Sequence, residues 1–156
     1  MAINTLAPFL LNARLQPLLA TSAKTAPPVD DGAARAPPGA AFIVNVSAME
    51  GKFYRHKTAN HPHTNMAKAA LNMMTRTSAA ELASSHRIFM TAVDTGWIND
   101  ENPRERAART AELHRFQTPL DEVDAAARVL HPIFEGVATG KPPFGCFFKD
   151  YQESEW

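Results

Sequence analysis

The chain is expected to fold as an α/β domain: a partial parallel sheet of about three strands with helices on both faces. Three observations predict this. Residues 41–46 and 87–93 are nearly continuous apolar runs rich in β-branched residues, the pattern of strands covered on both faces. Between them lies HTNMAKAALNMMTRT, residues 63–77, an alanine- and methionine-rich helix start. Strand, helix and strand in that order imply a right-handed parallel crossover.

The elements follow in chain order. Ile3 to Ala20 reads as a helix with Thr5 as cap and Pro8 in its first turn. Leu6, Leu10, Leu11, Leu15, Leu18 and Leu19 predict a broad buried face, and Pro17 predicts an early bend or stop. Residues 21–40 hold Pro27-Pro28 and Pro37-Pro38 with no apolar period, so a flexible Ala/Pro-rich insert is expected. The second helix should span about His63 to Ser84. A short helix should begin near Pro103, capped by Asn102. Another should start at Pro119, with Thr118 as cap and Asp121 in its first turn. In it Val123, Ala126, Ala127 and Leu130 share an apolar face, and Pro132 should stop it. Gly145 to Lys149 reads as a third strand, and 151–156 as a tail.

Composition narrows the function. Of 156 residues, 45% are hydrophobic and 21% charged, which suits a soluble globular domain. Sixteen basic and sixteen acidic residues cancel, so no nucleic-acid partner is expected. No segment is long and apolar enough to span a membrane. One cysteine, Cys146, cannot form an internal disulfide, so a cytoplasmic location is expected, with Cys146 as a core residue. His56, His61 and His63 invite a metal reading, but no carboxylate or cysteine completes a recognised spacing, so no metal is expected. The mixed charges of 101–115 read as a solvated helix face.

Three stretches together carry a resemblance: Ile43-Val44-Asn45-Val46-Ser47-Ala48, Met66-Ala67-Lys68-Ala69-Ala70-Leu71, and Ala92-Val93-Asp94-Thr95-Gly96. In this order and spacing the chain resembles the C-terminal half of a short-chain dehydrogenase/reductase, over residues 1–20 and 41–150. The resemblance implies part of a Rossmann-like, doubly wound fold. It implies an oxidoreductase passing hydride between NAD or NADP and a carbonyl or alcohol. It places Lys68 at the family's lysine, which holds the nicotinamide ribose, and Asn4 at its asparagine.

Two positions depart from the family. Thr64 stands at the catalytic tyrosine, four residues before Lys68, and Ala48 stands at the catalytic serine, with Ser47 one residue early. Thr64 and Lys68 share a helix face, but an aliphatic hydroxyl is a far weaker acid than a phenol near pKa ~10. Tyr54, His56, His61 and His63 lie nearby as substitute acids, Tyr54 and His63 being chemically best suited. After the second strand, Thr95, Gly96 and Asp100 fall where the family contacts nicotinamide. Trp97, Ile98 and Phe116 fall where it covers substrate. No glycine-rich pyrophosphate turn occurs in the chain.

These departures predict that the isolated chain turns over nothing. NAD or NADP would bind only if the missing half were supplied, by a partner in trans or by a longer gene product. The rival expectations are a non-catalytic module that dimerises through helix 63–84, with Leu71, Met74, Ser78 and Leu82 as a stripe that a monomer core would explain equally, or a truncated gene product.

Overall fold

A computed structural model of the chain describes residues 1–25, 39–54, 56–98, 105, 109 and 118–156. A π-helical turn, Ala2–Leu6, leads into α1, Ala7–Thr25. Then come β1, Ala41–Ser47; a 3-10 turn, Met49–Gly51; α2, Pro62–His86; and β2, Ile88–Asp94. Next are α3, Glu122–Thr139; β3, Phe147–Lys149; and β4, Gln152–Ser154. The sheet order is β1-β2-β3-β4. The first two pairings are parallel, as the apolar runs predict, and the last is antiparallel. Strand β4 falls within the residues read as a tail. Its signal was weak because Gln152, Glu153 and Ser154 are polar and the strand is three residues long.

Two layers of helix cover the sheet. α2 lies over β2, α1 over β1, and α3 packs against β1 and β2. Ile43, Met90, Ile88, Ala79 and Leu82 form a core cluster with Ala23 and Ala41. Alternate residues of β1 point to opposite faces. Ala41, Ile43, Asn45 and Ser47 are buried, whereas Val46 is 45% exposed.

Several expectations about helices are corrected. α1 does not stop at Pro17 but runs to Thr25, into the stretch read as a loop. Its two halves are each anchored, Asn12 to Asn45 and Ala23 in the core, and this packing outweighs the missing N–H of Pro17. The leucine face is not buried: Leu6, Leu10, Leu11, Leu15 and Leu18 are all exposed. The inward stripe is Thr5, Pro8, Asn12, Gln16, Leu19, Ala20 and Ala23, which recurs at helical spacing but is too polar and small to stand out in the sequence.

α3 starts three residues later than expected. Its cap is Asp121, whose Oδ1 accepts from the backbone N–H of Val123 and of Asp124, both at 2.9 Å. Thr118 donates to the Ile98 carbonyl instead, at 3.1 Å. Pro132 lies inside the helix and does not end it. The buried face is Ala125, Pro132 and Gly136, not Val123, Ala126, Ala127 and Leu130, which face outward. Small residues win because the helix sits close to the sheet: a Cβ on Gly136 would meet the Phe42 ring at 3.2 Å and Pro142 at 2.9 Å. The helix expected near Pro103 lies outside the described residues.

Candidate functional site

Because β1, β2 and β3 are parallel, their C-terminal ends share one edge of the sheet, where open α/β sheets bind ligands. Ser47, Asp94 and Lys149 end the three strands. The turn after β1 is pressed onto α2. A Cβ on Gly51 would meet the Lys68 carbonyl carbon at 2.5 Å and the Ala69 nitrogen at 2.7 Å, so only glycine fits. That close approach brings Lys68 to the strand end, and its Nζ donates to the Val46 carbonyl at 2.9 Å.

Thr64 is half-buried one turn before Lys68 on the same helix. Ser47 is 4% exposed and points to the α2 side, where its hydroxyl donates to Asn72 Oδ1. Ala48 is half-buried and extended, and its methyl offers no hydrogen bond. Tyr54 is exposed, with the Lys52 amine 5.6 Å from its ring centroid. Asn4 is exposed in the π-helical turn; beside it, Thr5 Oγ1 donates to the Ala67 carbonyl at 3.1 Å and ties that turn to α2.

After β2, Gly96 takes φ 77°. Its N–H donates to Asp94 Oδ1 at 2.6 Å, and the Thr95 hydroxyl donates to the Gly96 carbonyl at 3.3 Å. Trp97 is exposed and Ile98 half-buried. Asp100 and Phe116 lie outside the described residues. The exposed rings of His61 and His63 meet edge to face, 6.2 Å apart. Among the described residues no three His, Cys, Asp or Glu side chains gather as a metal site.

Other residues prove more central than the sequence suggested. Asp94, 7% exposed, also accepts from the Met49 N–H at 2.8 Å and pairs with Lys149 Nζ at 3.4 Å. One carboxylate thus ties together the ends of all three parallel strands. An acid closing an apolar run was the available signal. Asn45 carries a second network: Asn12 donates to its Oδ1 at 3.2 Å, and its Nδ2 donates to Thr75 Oγ1 at 2.9 Å. A lone amide in an apolar strand demanded such partners.

Lys52 gave no signal, yet it is 1% exposed. Its amine donates to Ser154 Oγ at 2.8 Å and to the Glu155 carbonyl, and stands 3.9 Å from the centre of the Phe147 ring. Cys146 is a poor nucleophile: burial, with Glu153 adding, pushes its thiol up to about 12.

The groups present fit a pyridine nucleotide incompletely. A lysine reaches the strand end, but the hydroxyl beside it turns into the core and position 48 has none. No chemical step follows from this set alone.

No protein-family model matches the chain. An uncharacterized protein of Acanthamoeba polyphaga mimivirus, R665, is 39% identical over 98 residues, which is 60% of this chain and 21% of that protein. The carbonyl reductase Sniffer of D. melanogaster superposes with TM-score 0.60 at 21% identity, covering 97% of this chain and 52% of Sniffer. The NADPH-bound carbonyl reductase from chicken fatty liver gives TM-score 0.61 at 20% identity, covering 98% of this chain and 54% of the reductase. Among the described residues no helix is long and apolar enough to cross a membrane. The chain therefore has the Rossmann-like fold of carbonyl reductases of the short-chain dehydrogenase/reductase family, and spans about half the length of those it matches.

Proposed function

We propose that the chain is the lysine-bearing part of a short-chain dehydrogenase/reductase type of oxidoreductase, one for NAD(P)-dependent hydride transfer between alcohol and carbonyl, and that it is inactive alone. The observation that carries this reading is Lys68, whose amine lies at the end of β1 on the Val46 carbonyl. Under this reading Lys68, Asn4 and Thr64 hold the catalytic positions, Ser47 stands next to the serine position, and Tyr54 is the substitute acid. Thr95, Gly96 and Asp100 would face nicotinamide. The phosphate-binding half and the choice between NAD and NADP lie with whatever completes the sheet.

The test is titration of NADPH and NADH fluorescence with the purified chain, together with an assay for carbonyl reduction. Neither saturable binding nor turnover is expected. Turnover of a ketone by this chain alone would overturn the proposal.

A second reading, a non-catalytic module dimerising through the lysine-bearing helix, draws on one observation. An apolar groove of about 340 Å³ opens between α1 and α2, lined by Leu6, Phe9, Leu71 and Met74 among others. Within the expected stripe, Leu71 and Leu82 are buried in the chain itself and Met74 and Ser78 are half-buried; Met66 and Met73, on the same helix but outside the stripe, are exposed. Sedimentation analysis decides it: a discrete dimer weakened by Met73→Glu favours this reading, and a monomer discards it.

A further inference from the structure

An ammonium lies between the turns of the candidate site and the turn that joins β3 to β4. Lys149, the last residue of β3, has its Nζ 3.4 Å from Asp94 Oδ1 and 3.7 Å from Asp150 Oδ1. The two carboxylates differ in setting. The Asp94 side chain is 10% exposed and accepts from the N–H groups of Met49 and Gly96, so it holds the turns that follow β1 and β2. The Asp150 side chain is 60% exposed and belongs to the positive-φ turn into β4. One cation thus serves two anions, and Asp94 is the one that reaches the site.

A second cation balances the sharing. Arg128 of α3 pairs with Asp150, and its hydrogen bond, more than the charge of Lys149, keeps that carboxyl below 3.8. Both cations lie against the turn after β2. A Cβ on Gly96 would stand 3.7 Å from Lys149 Nζ and 3.9 Å from Arg128 Nη1. While Arg128 holds Asp150, Lys149 is left to neutralise Asp94. Without Arg128, Asp150 has among the described residues one cation, and it is the one that Asp94 needs. A buried carboxylate that loses its cation is destabilised where it sits, so its hold on the two N–H groups loosens.

We propose that Lys149 is a positioning residue: divided between Asp94 and Asp150, it couples the β3–β4 turn to the turns at Met49 and Gly96. Whatever frees Asp150 from Arg128 draws Lys149 off Asp94 and loosens the site. Whatever neutralises Asp150 tightens it. The biological meaning rests on the proposed function, in which those turns flank the serine position, Ala48, and the nicotinamide-facing Thr95 and Gly96. The coupling belongs to this chain and is read without pyridine nucleotide, so it and the cofactor reading fail separately.

The test is amide exchange at Met49 and Gly96 in the whole chain, followed by NMR. Arg128→Met keeps an apolar stem beside the Tyr151 ring while removing the charge. It should speed exchange at both amides by roughly two- to fivefold. Asp150→Asn keeps a residue that tolerates positive φ, and should slow both amides by a similar factor. The two substitutions break the same ion pair, so a purely structural role moves the amides the same way in both. A direct field effect gives the reverse signs, because hydroxide-catalysed exchange slows when a nearby cation is removed. In a Lys149→Met background neither substitution should change either amide, and high salt should shrink both effects in the presence of Lys149. Lys149→Gln supplies the neutral background if the methionine variant does not fold. Shifts of the same sign, reversed signs, no shift, or effects that persist without Lys149 overturn the proposal.

Discussion

The two edges of the sheet are built on opposite principles. The β4 edge is finished. It is three residues long and polar, and Lys52 fastens its last residue, Ser154, and Glu155 just after it. The hairpin turn into it puts Asp150 and Tyr151 at φ 51° and 64°, a conformation that non-glycine residues resist. α3 holds that turn: Arg128 pairs with the Asp150 carboxylate and lies 5.2 Å from the Tyr151 ring centre, and His131 meets the same ring edge-on at 5.3 Å. Among the described residues the β1 edge has none of these devices. It is seven residues of apolar strand under a leucine face that touches little. Short, charged and clamped edges resist further pairing, while long, flat ones invite it.

The sharpest way to break the comparison is to place the same residue on both sides of it. Ala92→Pro removes an N–H that bonds the Cys146 carbonyl at 3.1 Å in the fully buried centre of the sheet. It should cost about 3 kcal/mol or more and leave little folded protein by circular dichroism. Val44→Pro should change the urea midpoint by less than about 1 kcal/mol in equivalent stability, because its N–H faces outward. Equal damage from the two would mean that the outer edge of β1 is paired.

Removing the clamp of the finished edge should have an intermediate effect. Lys52→Ala strips the buried amine from Ser154 and Glu155 and opens a hole beside Phe147. A loss of about 2–4 kcal/mol is expected in urea denaturation. Hydrogen exchange should quicken in 152–154 before it does in β1.

A loss smaller than that of Lys52→Ala comes from the Asp150 turn. Arg128→Ala should cost about 1 kcal/mol, through lost contacts with Asp150 and Tyr151. The Arg128 guanidinium hydrogen-bonded to Asp150 lowers its pKa below 3.8. A carboxylate with a depressed folded-state pKa stabilises above its unfolded value and loses that contribution as pH falls through the folded one. The wild type should therefore lose stability below about pH 4, and Arg128→Ala should lose less there. Asp150 is largely exposed, so salt should shrink the difference. An unchanged acid limb in the variant would remove the ion pair from the account.

Much of the fold was written in local patterns. The apolar runs at 41–46 and 87–93 and the alanine- and methionine-rich helix start near His63 are signals carried by neighbouring residues, and the structure follows them. What local pattern missed was set by distance in the sheet. Pro17 and Pro132 sit inside helices because packing on both sides of each proline outweighs one absent hydrogen bond. The leucine face of α1 was read as buried because its period is correct, but a period does not reveal whether the layer beneath is present.

The site was legible only in part, for the same reason. Lys68 reaches the strand end through its spacing from the turn and the Gly51 contact. The inward turn of Ser47 follows from strand alternation. The roles of Asp94 and Lys52 depend on Met49, Lys149, Ser154 and Glu155, which arrive from other parts of the chain.

Residue-resolved amide exchange along β1 in the isolated chain bears most directly on the claim that the sheet is unfinished there. The account predicts alternation, with slow exchange at Ile43 and Asn45, whose N–H groups face β2, and fast exchange at Phe42 and Val44. Uniformly slow exchange along β1 in a monomeric sample would contradict it.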